Sequence, residues 1–181
     1  MRFTEREAAL YHELFEPHAL SKREYRELLD AGTEWQSCAL EPVDGAGGAA
    51  HWSNLSSALT LEGKPSSRLI LLTKGRCTVL RGGACVAELH AGDLVGESSF
   101  VSLVERSRRD GGAAVAIATV VPCGGVEYVS WPSRRLASHV AKSSYAKACL
   151  LTVIAASQAV KLERASERGA EVERELKRKL A

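Results

Sequence analysis

The chain has 181 residues, is 45% hydrophobic and 25% charged, and carries a formal net charge of +2. That is the balance of an ordinary globular protein, long enough to bury a core. So small a charge, with no basic stripe interleaved with aromatics, argues against a nucleic-acid partner. The five cysteines, Cys38, Cys77, Cys85, Cys123 and Cys149, show no CxxC and no metal-ligand spacing, which reads as thiols packed as small hydrophobes in a reducing, cytoplasmic compartment.

The first residues, up to Pro17, predict an amphipathic helix rather than a secretory signal. Leu10, Leu14 and Phe15 share one face, and Pro17 closes the helix. Ser21 stands three residues before Glu24, a capping-box spacing that opens a second helix. Tyr25, Leu28 and Leu29 form its apolar face and Gly32 its stop. Glu34–Pro42 reads as a strand and Val43–Ser57 as a long glycine- and serine-rich surface loop.

From Arg68 the strands are short and clean: Arg68–Gly75, Cys77–Gly83 and Ala84–Leu94, separated by glycine turns. With Gly82-Gly83 as a two-residue turn, Leu80 faces Cys85 and Cys77 faces Glu88, so Cys77 and Cys85 are out of disulfide reach. Val101–Gly112 predicts a turn of helix running into a charged loop. Ala113–Val121 and Val126–Trp131 are strands about a Cys123–Gly125 turn. Two helices follow Pro132, with Leu136 and Val140 inward on one, and Cys149, Leu150, Val153, Ile154 and Val160 inward on the other. The apolar run Ala148–Val160 is too short for a membrane span and is expected to be a buried helix. The residues after it predict a solvated helix or a frayed end. Helices, then eight or so strands, then helices make an α+β chain built on an antiparallel β jelly roll. The expected division is a helical segment at 1–32, the jelly roll at 33–131, C-terminal helices packed on it at 132–165 and a charged tail at 166–181.

The chemistry concentrates where Gly92-Asp93-Leu94-Val95 leads into Gly96-Glu97-Ser98-Ser99. Gly96 permits close backbone approach, Glu97 can accept hydrogen bonds from ribose hydroxyls, and Ser98 and Ser99 can face an anion. The same residues also fit a plain turn followed by helix-capping side chains. His90, near Glu88 and Asp93, lacks the further ligands of a metal site. Trp131 either packs under the C-terminal helix or stacks on a purine. No Ser-His-Asp or Cys-His pairing is legible, and a sensor is expected rather than an enzyme.

Four stretches carry a likeness to a known family: Leu10–Pro17, Glu62–Arg76, Ala87–Phe100 and Glu127–Leu162. The last holds Tyr128-Val129-Ser130-Trp131, then basic residues, then Ala141-Lys142-x-x-Tyr145 and an apolar helix ending in Lys161-Leu162. The chain resembles the cyclic-nucleotide-binding superfamily and, within it, the Popeye domain. That resemblance implies a jelly roll that binds cyclic AMP as a regulatory signal; the mechanism expected is a shift of the C-terminal helices when nucleotide orders the loop around residues 94–100, and no metal is expected. It implies Gly96, Glu97, Ser98, Ser99, Ala118 and Thr119 as the ligand-binding positions. It also implies homo- or hetero-dimers through the C-terminal helix, and membrane-anchored relatives that would place the domain at the cytoplasmic face through partners. The chain departs from the pattern at the phosphate. Where ordinary cyclic-nucleotide domains carry an arginine, it has Ala116-Ile117-Ala118-Thr119; Arg106, Arg108 and Arg109 in the loop upstream are either a source of a substitute or, as charged loop runs usually are, simply solvated. The other expectation is a fold that has lost its ligand and serves as a dimerisation or interaction module.

Overall fold

Leu69–Leu72 are each no more than 3% exposed, although successive strand residues point to opposite faces of a sheet. Such a run stays dry only where both faces are covered. In this computed structural model, which describes residues 3–18, 20–38, 57–106 and 115–180, they are. The loop expected at 43–57 and the charged loop after Arg106 fall almost wholly outside those residues.

The N-terminal helices are α1 (Glu5–Leu10), a wider π turn (Tyr11–Phe15), a short 3-10 turn (Glu16–His18) and α2 (Lys22–Asp30). Strands β1 (Glu34–Cys38), β2 (Arg68–Lys74), β3 (Arg76–Arg81), β4 (Ala84–His90) and β5 (Leu94–Val95) follow. Then come α3 (Glu97–Arg106), β6 (Thr119–Pro122), β7 (Val126–Pro132), α4 (Ser133–Val140) and α5 (Ser144–Leu180). One antiparallel sheet has the order β1-β7-β2-β5 and the other β4-β3-β6. The described strands make two facing sheets, not a closed barrel.

The alternation of β2 separates two cores. Leu69 and Leu71 join Val129, Trp131, Phe100, Leu136, Val153 and Ile154 beneath the helices, together with Tyr25 and Phe15 from the N-terminal segment. Ile70 and Leu72 join Cys77, Leu89, Val95, Val120 and Val126 between the sheets. Trp131 therefore packs in the helical layer.

The Ser21–Glu24 capping box forms as expected, and Tyr25, Leu28 and Leu29 are buried. A second capping box, Thr4–Glu7, starts α1. Tyr11 is buried beside Leu10 and Phe15 and donates its hydroxyl to the Leu20 carbonyl at 2.8 Å, while Leu14 is partly covered and packs against the same cluster.

The hairpin expectation holds for Leu80 opposite Cys85 but fails at Cys77, which pairs with Leu89 while Thr78 takes Glu88. Val79 faces Ala87 and Leu80 faces Cys85, so Val86 is an extra residue, and this bulge shifts the register by one. The strand expected at 113–121 is shorter than expected: Val115–Ala118 hydrogen-bond to the 60–64 segment, and regular pairing with β3 begins at Thr119.

At the C-terminus the tail takes the helical one of its two expected forms, while the expected shortness of the apolar helix is corrected. α5 continues as one helix to Leu180, and by length and composition alone its Ser144–Glu167 stretch would suffice to cross a membrane, more than the 148–160 run suggested. Its apolar face is nevertheless used within the domain, since Cys149, Leu150, Val153 and Ile154 are buried in the core. Cys149 and Val153 are therefore covered within the domain rather than open to a partner along α5, and Val160, expected inward, is 41% exposed.

Val153→Glu is expected to cost more than about 3 kcal/mol by burying an unpaired charge, read as a lowered urea midpoint; a fully stable folded variant would contradict this packing. All five cysteines are free, and burial, aided by neighbouring Cys123 and Cys38, pushes the Cys77 thiol up to about 12. Alkylation at pH 8 is expected to label exposed Cys85 and Cys123 first, with Cys77 and Cys149 reacting only on unfolding.

Candidate functional site

Gly96 sets where the site begins. It links β5 to α3 with φ of +85°, and a Cβ there would stand 2.4 Å from the Arg68 carbonyl oxygen. Only a glycine lets the chain pass β2 so closely and turn into a helix. The Phe100 amide is the first to bond back, to the Gly96 carbonyl at 3.0 Å. The amides of Glu97, Ser98 and Ser99 precede it and lack intrahelical acceptors, at the positive end of the helix dipole.

Those residues border a cavity of about 200 Å³. Val79, Val86 and Leu89 form an apolar wall from the second sheet, and Ala116, Ile117 and Ala118 another. The Val86 bulge therefore lies at the cavity, where such a device re-aims a side chain. The far side is α5, through Lys161, Arg164 and Ala165.

The charged groups here are already paired. Lys161 Nζ donates to Glu97 Oε1 at 2.6 Å and to the Leu94 carbonyl, and the two side chains are only 20% and 14% exposed. Arg164 Nη1 donates to Asp93 Oδ2 at 2.7 Å, an oxygen that also accepts from the His90 amide at 2.7 Å. The Leu94 amide donates to Ser157 Oγ at 3.4 Å. Three side chains of α5 thus clasp the turn between β4 and β5 and the start of α3. Removing one partner of a buried pair costs roughly 3–5 kcal/mol, and partial exposure puts Glu97–Lys161 at the low end.

Of the positions singled out in the sequence, Gly96, Glu97, Ser98, Ser99 and Ala118 line this one cavity. Thr119 does not, because strand alternation turns it away from the side that Ala118 and Val120 face. Its Oγ1 instead accepts from the Glu62 amide at 3.0 Å. Ser99 donates its hydroxyl to the Val115 carbonyl at 3.2 Å. Arg108, Arg109 and the Arg106 side chain lie outside the described residues. Trp131 is remote from the cavity lining. No cluster of three metal-ligating side chains occurs among the described residues.

Sequence reasoning missed Lys161 and Arg164 as site residues. Their signal is periodic: Leu150, Ile154, Ser157, Lys161 and Arg164 recur every three or four residues, one helical stripe that passes from core to cavity.

No protein-family model matches the chain, and no curated protein matches it. Solved structures do. A protein of Geobacter metallireducens GS-15, put forward as cyclic-nucleotide-binding, superposes with a TM-score of 0.64 at 15% identity, covering 88% of this chain and 99% of its own. A cyclic nucleotide-binding domain from Methylobacillus flagellatus KT gives 0.61 at 16% identity over 88% and 82%. The regulatory domain of Toxoplasma gondii PKA, crystallised with cAMP, gives 0.52 at 16% identity over 76% and 46%. The fold is therefore cyclic-nucleotide-binding-like: antiparallel sheets flanked by helices.

Gly96→Ala is expected to destabilise by about 1–3 kcal/mol, since the alanine must hold a left-handed φ against a backbone oxygen. Thermal unfolding would read it. The matching change at Gly92, whose Cβ meets nothing within 4 Å, isolates the strain from the clash.

Proposed function

We propose that this is a regulatory domain, not an enzyme, that binds a cyclic nucleotide and passes the event to its C-terminal helix. The observation that carries the reading is the convergence of Glu97, the open amides at the start of α3 and an apolar wall on one cavity within a cyclic-nucleotide-binding-like fold. A sugar hydroxyl is matched by the Glu97 carboxylate, a phosphate by the helix N-terminus, and a base by Val79, Val86 and Leu89. Cyclic AMP suits that wall better than cyclic GMP, because guanine carries more polar edge groups to desolvate without partners.

The relay follows from size and attachment. A cavity of about 200 Å³ is below the roughly 300–1,000 Å³ of small-molecule pockets, and α5 forms one of its walls. Admitting a nucleotide moves that wall, and the ligand shifts the helix by its differential affinity for the two arrangements. The segments then divide the work: 33–131 holds the ligand, 132–165 responds, and 1–32 braces the responding helices through the shared core. The Popeye likeness is part of this reading. Lys161 belongs to the Lys161-Leu162 ending that carries it and is the residue that reaches Glu97. Five free thiols favour a cytoplasmic setting.

A second reading, a ligand-free interaction module, is favoured by one observation: Glu97 already has a partner. A homo- or hetero-dimer on α5 would then use exposed Val160 and Leu162.

Calorimetric titration with cyclic AMP, then cyclic GMP, at low salt separates the readings. Micromolar binding of cyclic AMP, weakened at least tenfold in a folded Glu97→Gln variant, is expected. No heat up to millimolar nucleotide would overturn the sensor and leave the module.

A further inference from the structure

We infer that the ligand's phosphate is neutralised from α5, by Lys161 with Ser66 as a second donor, rather than by the 116–119 segment that leads into β6. This rests on the nucleotide-binding reading above and says where its missing charge comes from. Ala116, Ile117, Ala118 and Thr119 supply no cation, yet an anion placed beside Glu97 would set two negative charges together in a partly desolvated cavity. Such a pair is strongly disfavoured unless a cation sits between them.

Lys161 fits that place on three counts. It lines the cavity and is only 20% exposed. An ammonium has three N–H donors; one goes to the Leu94 carbonyl and one to Glu97 Oε1, and the third meets no protein acceptor among the described residues. A carboxylate accepts at about four lone-pair sites, so Glu97 can keep Lys161 on one oxygen while ribose hydroxyls occupy the rest. Lys161 is then a bridge between carboxylate and phosphate rather than a competitor for the carboxylate.

Ser66 is the independent sign. Its hydroxyl is buried and has no hydrogen-bond partner, a condition that is uncommon in native proteins and needs an explanation. It lines the same cavity, and its oxygen stands 3.3 Å from where a Gly96 Cβ would be. That is the entry to α3, where the Ser98 and Ser99 amides open. Two unsatisfied donors and a helix N-terminus around one space call for a group rich in acceptor oxygens, and a cyclic phosphodiester is one. The arrangement makes α5 itself the reader of ligand charge, with the Arg164–Asp93 pair holding the helix in register.

The test compares cyclic AMP with adenosine, which has the base and ribose but no phosphate, by calorimetry on the wild-type chain, Lys161→Met and Ser66→Ala, with circular dichroism confirming each fold. Lys161→Met is expected to weaken cyclic AMP at least tenfold, about 1.4 kcal/mol, and by at least tenfold more than it changes adenosine, whose ribose still meets the freed Glu97. Ser66→Ala is expected to weaken cyclic AMP about threefold. Unchanged or tighter cyclic AMP binding in Lys161→Met overturns the inference while the nucleotide reading stands. An equal loss for adenosine also overturns it, since Lys161 would then only shape the cavity. No cyclic AMP binding by the wild-type chain sinks both. Should Lys161→Met fail to fold with Glu97 unpaired, the double variant Glu97→Gln/Lys161→Met is compared with Glu97→Gln. A further tenfold loss supports the bridge, and equality overturns it.

Discussion

Everything in this molecule hangs from the two-sided burial of β2. Leu69 and Leu71 bind the helical layer, and Ile70 and Leu72 bind the second sheet, so the strand is the shared wall of two cores. Its neighbours are fixed on both edges, β7 on one and β5 on the other. The β5 edge positions the cavity, because Val95 ends there and Gly96 must then clear the Arg68 carbonyl to start α3. The position of the cavity is thus a consequence of how β2 is packed.

The same constraint ties the site to α5. Val153 and Ile154 sit in the core against β2 and β7, and Lys161 and Arg164, two turns further along, reach Glu97 and Asp93. A helix anchored apolarly at one end and electrostatically at the other has two terms of different character. Hydrophobic contact scales with area and is insensitive to the cavity's occupant. The ion pairs answer directly to any charge placed beside them. On the proposed reading, a ligand shifts the polar end without unseating the apolar one, and the Ser157–Arg164 stretch is where that shift is expected.

Local chemistry explains what was legible. The capping box at Ser21 and Glu24 is written in a three-residue spacing, the hairpin in two adjacent glycines, and the double-faced strand in four consecutive apolar residues. Gly96 and Glu97 stand out for the same reason: a glycine turn and a carboxylate next to two serines are adjacent in the chain, although a plain capped turn reads the same way. The failures are equally specific. The Val86 bulge shifts Cys77 from Glu88 to Leu89, and nothing in the hairpin sequence marks which residue will be extra. Tyr11 joins Leu10, Leu14 and Phe15 on the core side, a fourth member the sequence reading left out. Thr119, adjacent to lining residues on both sides, faces away from the cavity, because alternation starts from a register that only strand pairing sets.

The sequence by itself determined the order of elements, the turns and the glycine turn at Gly96, since each depends on residues within a few positions of one another. Only the tertiary structure decided that Glu97 is already ion-paired. Its partner lies 64 residues away on α5, and no local pattern encodes which face of a long helix a distant core will turn toward a cavity. It likewise decided that Cys149 and Val153 belong to the domain's own core rather than to a dimer. Apolar spacing shows that a helical face will be buried, but what buries it is settled by which surfaces the rest of the fold leaves uncovered.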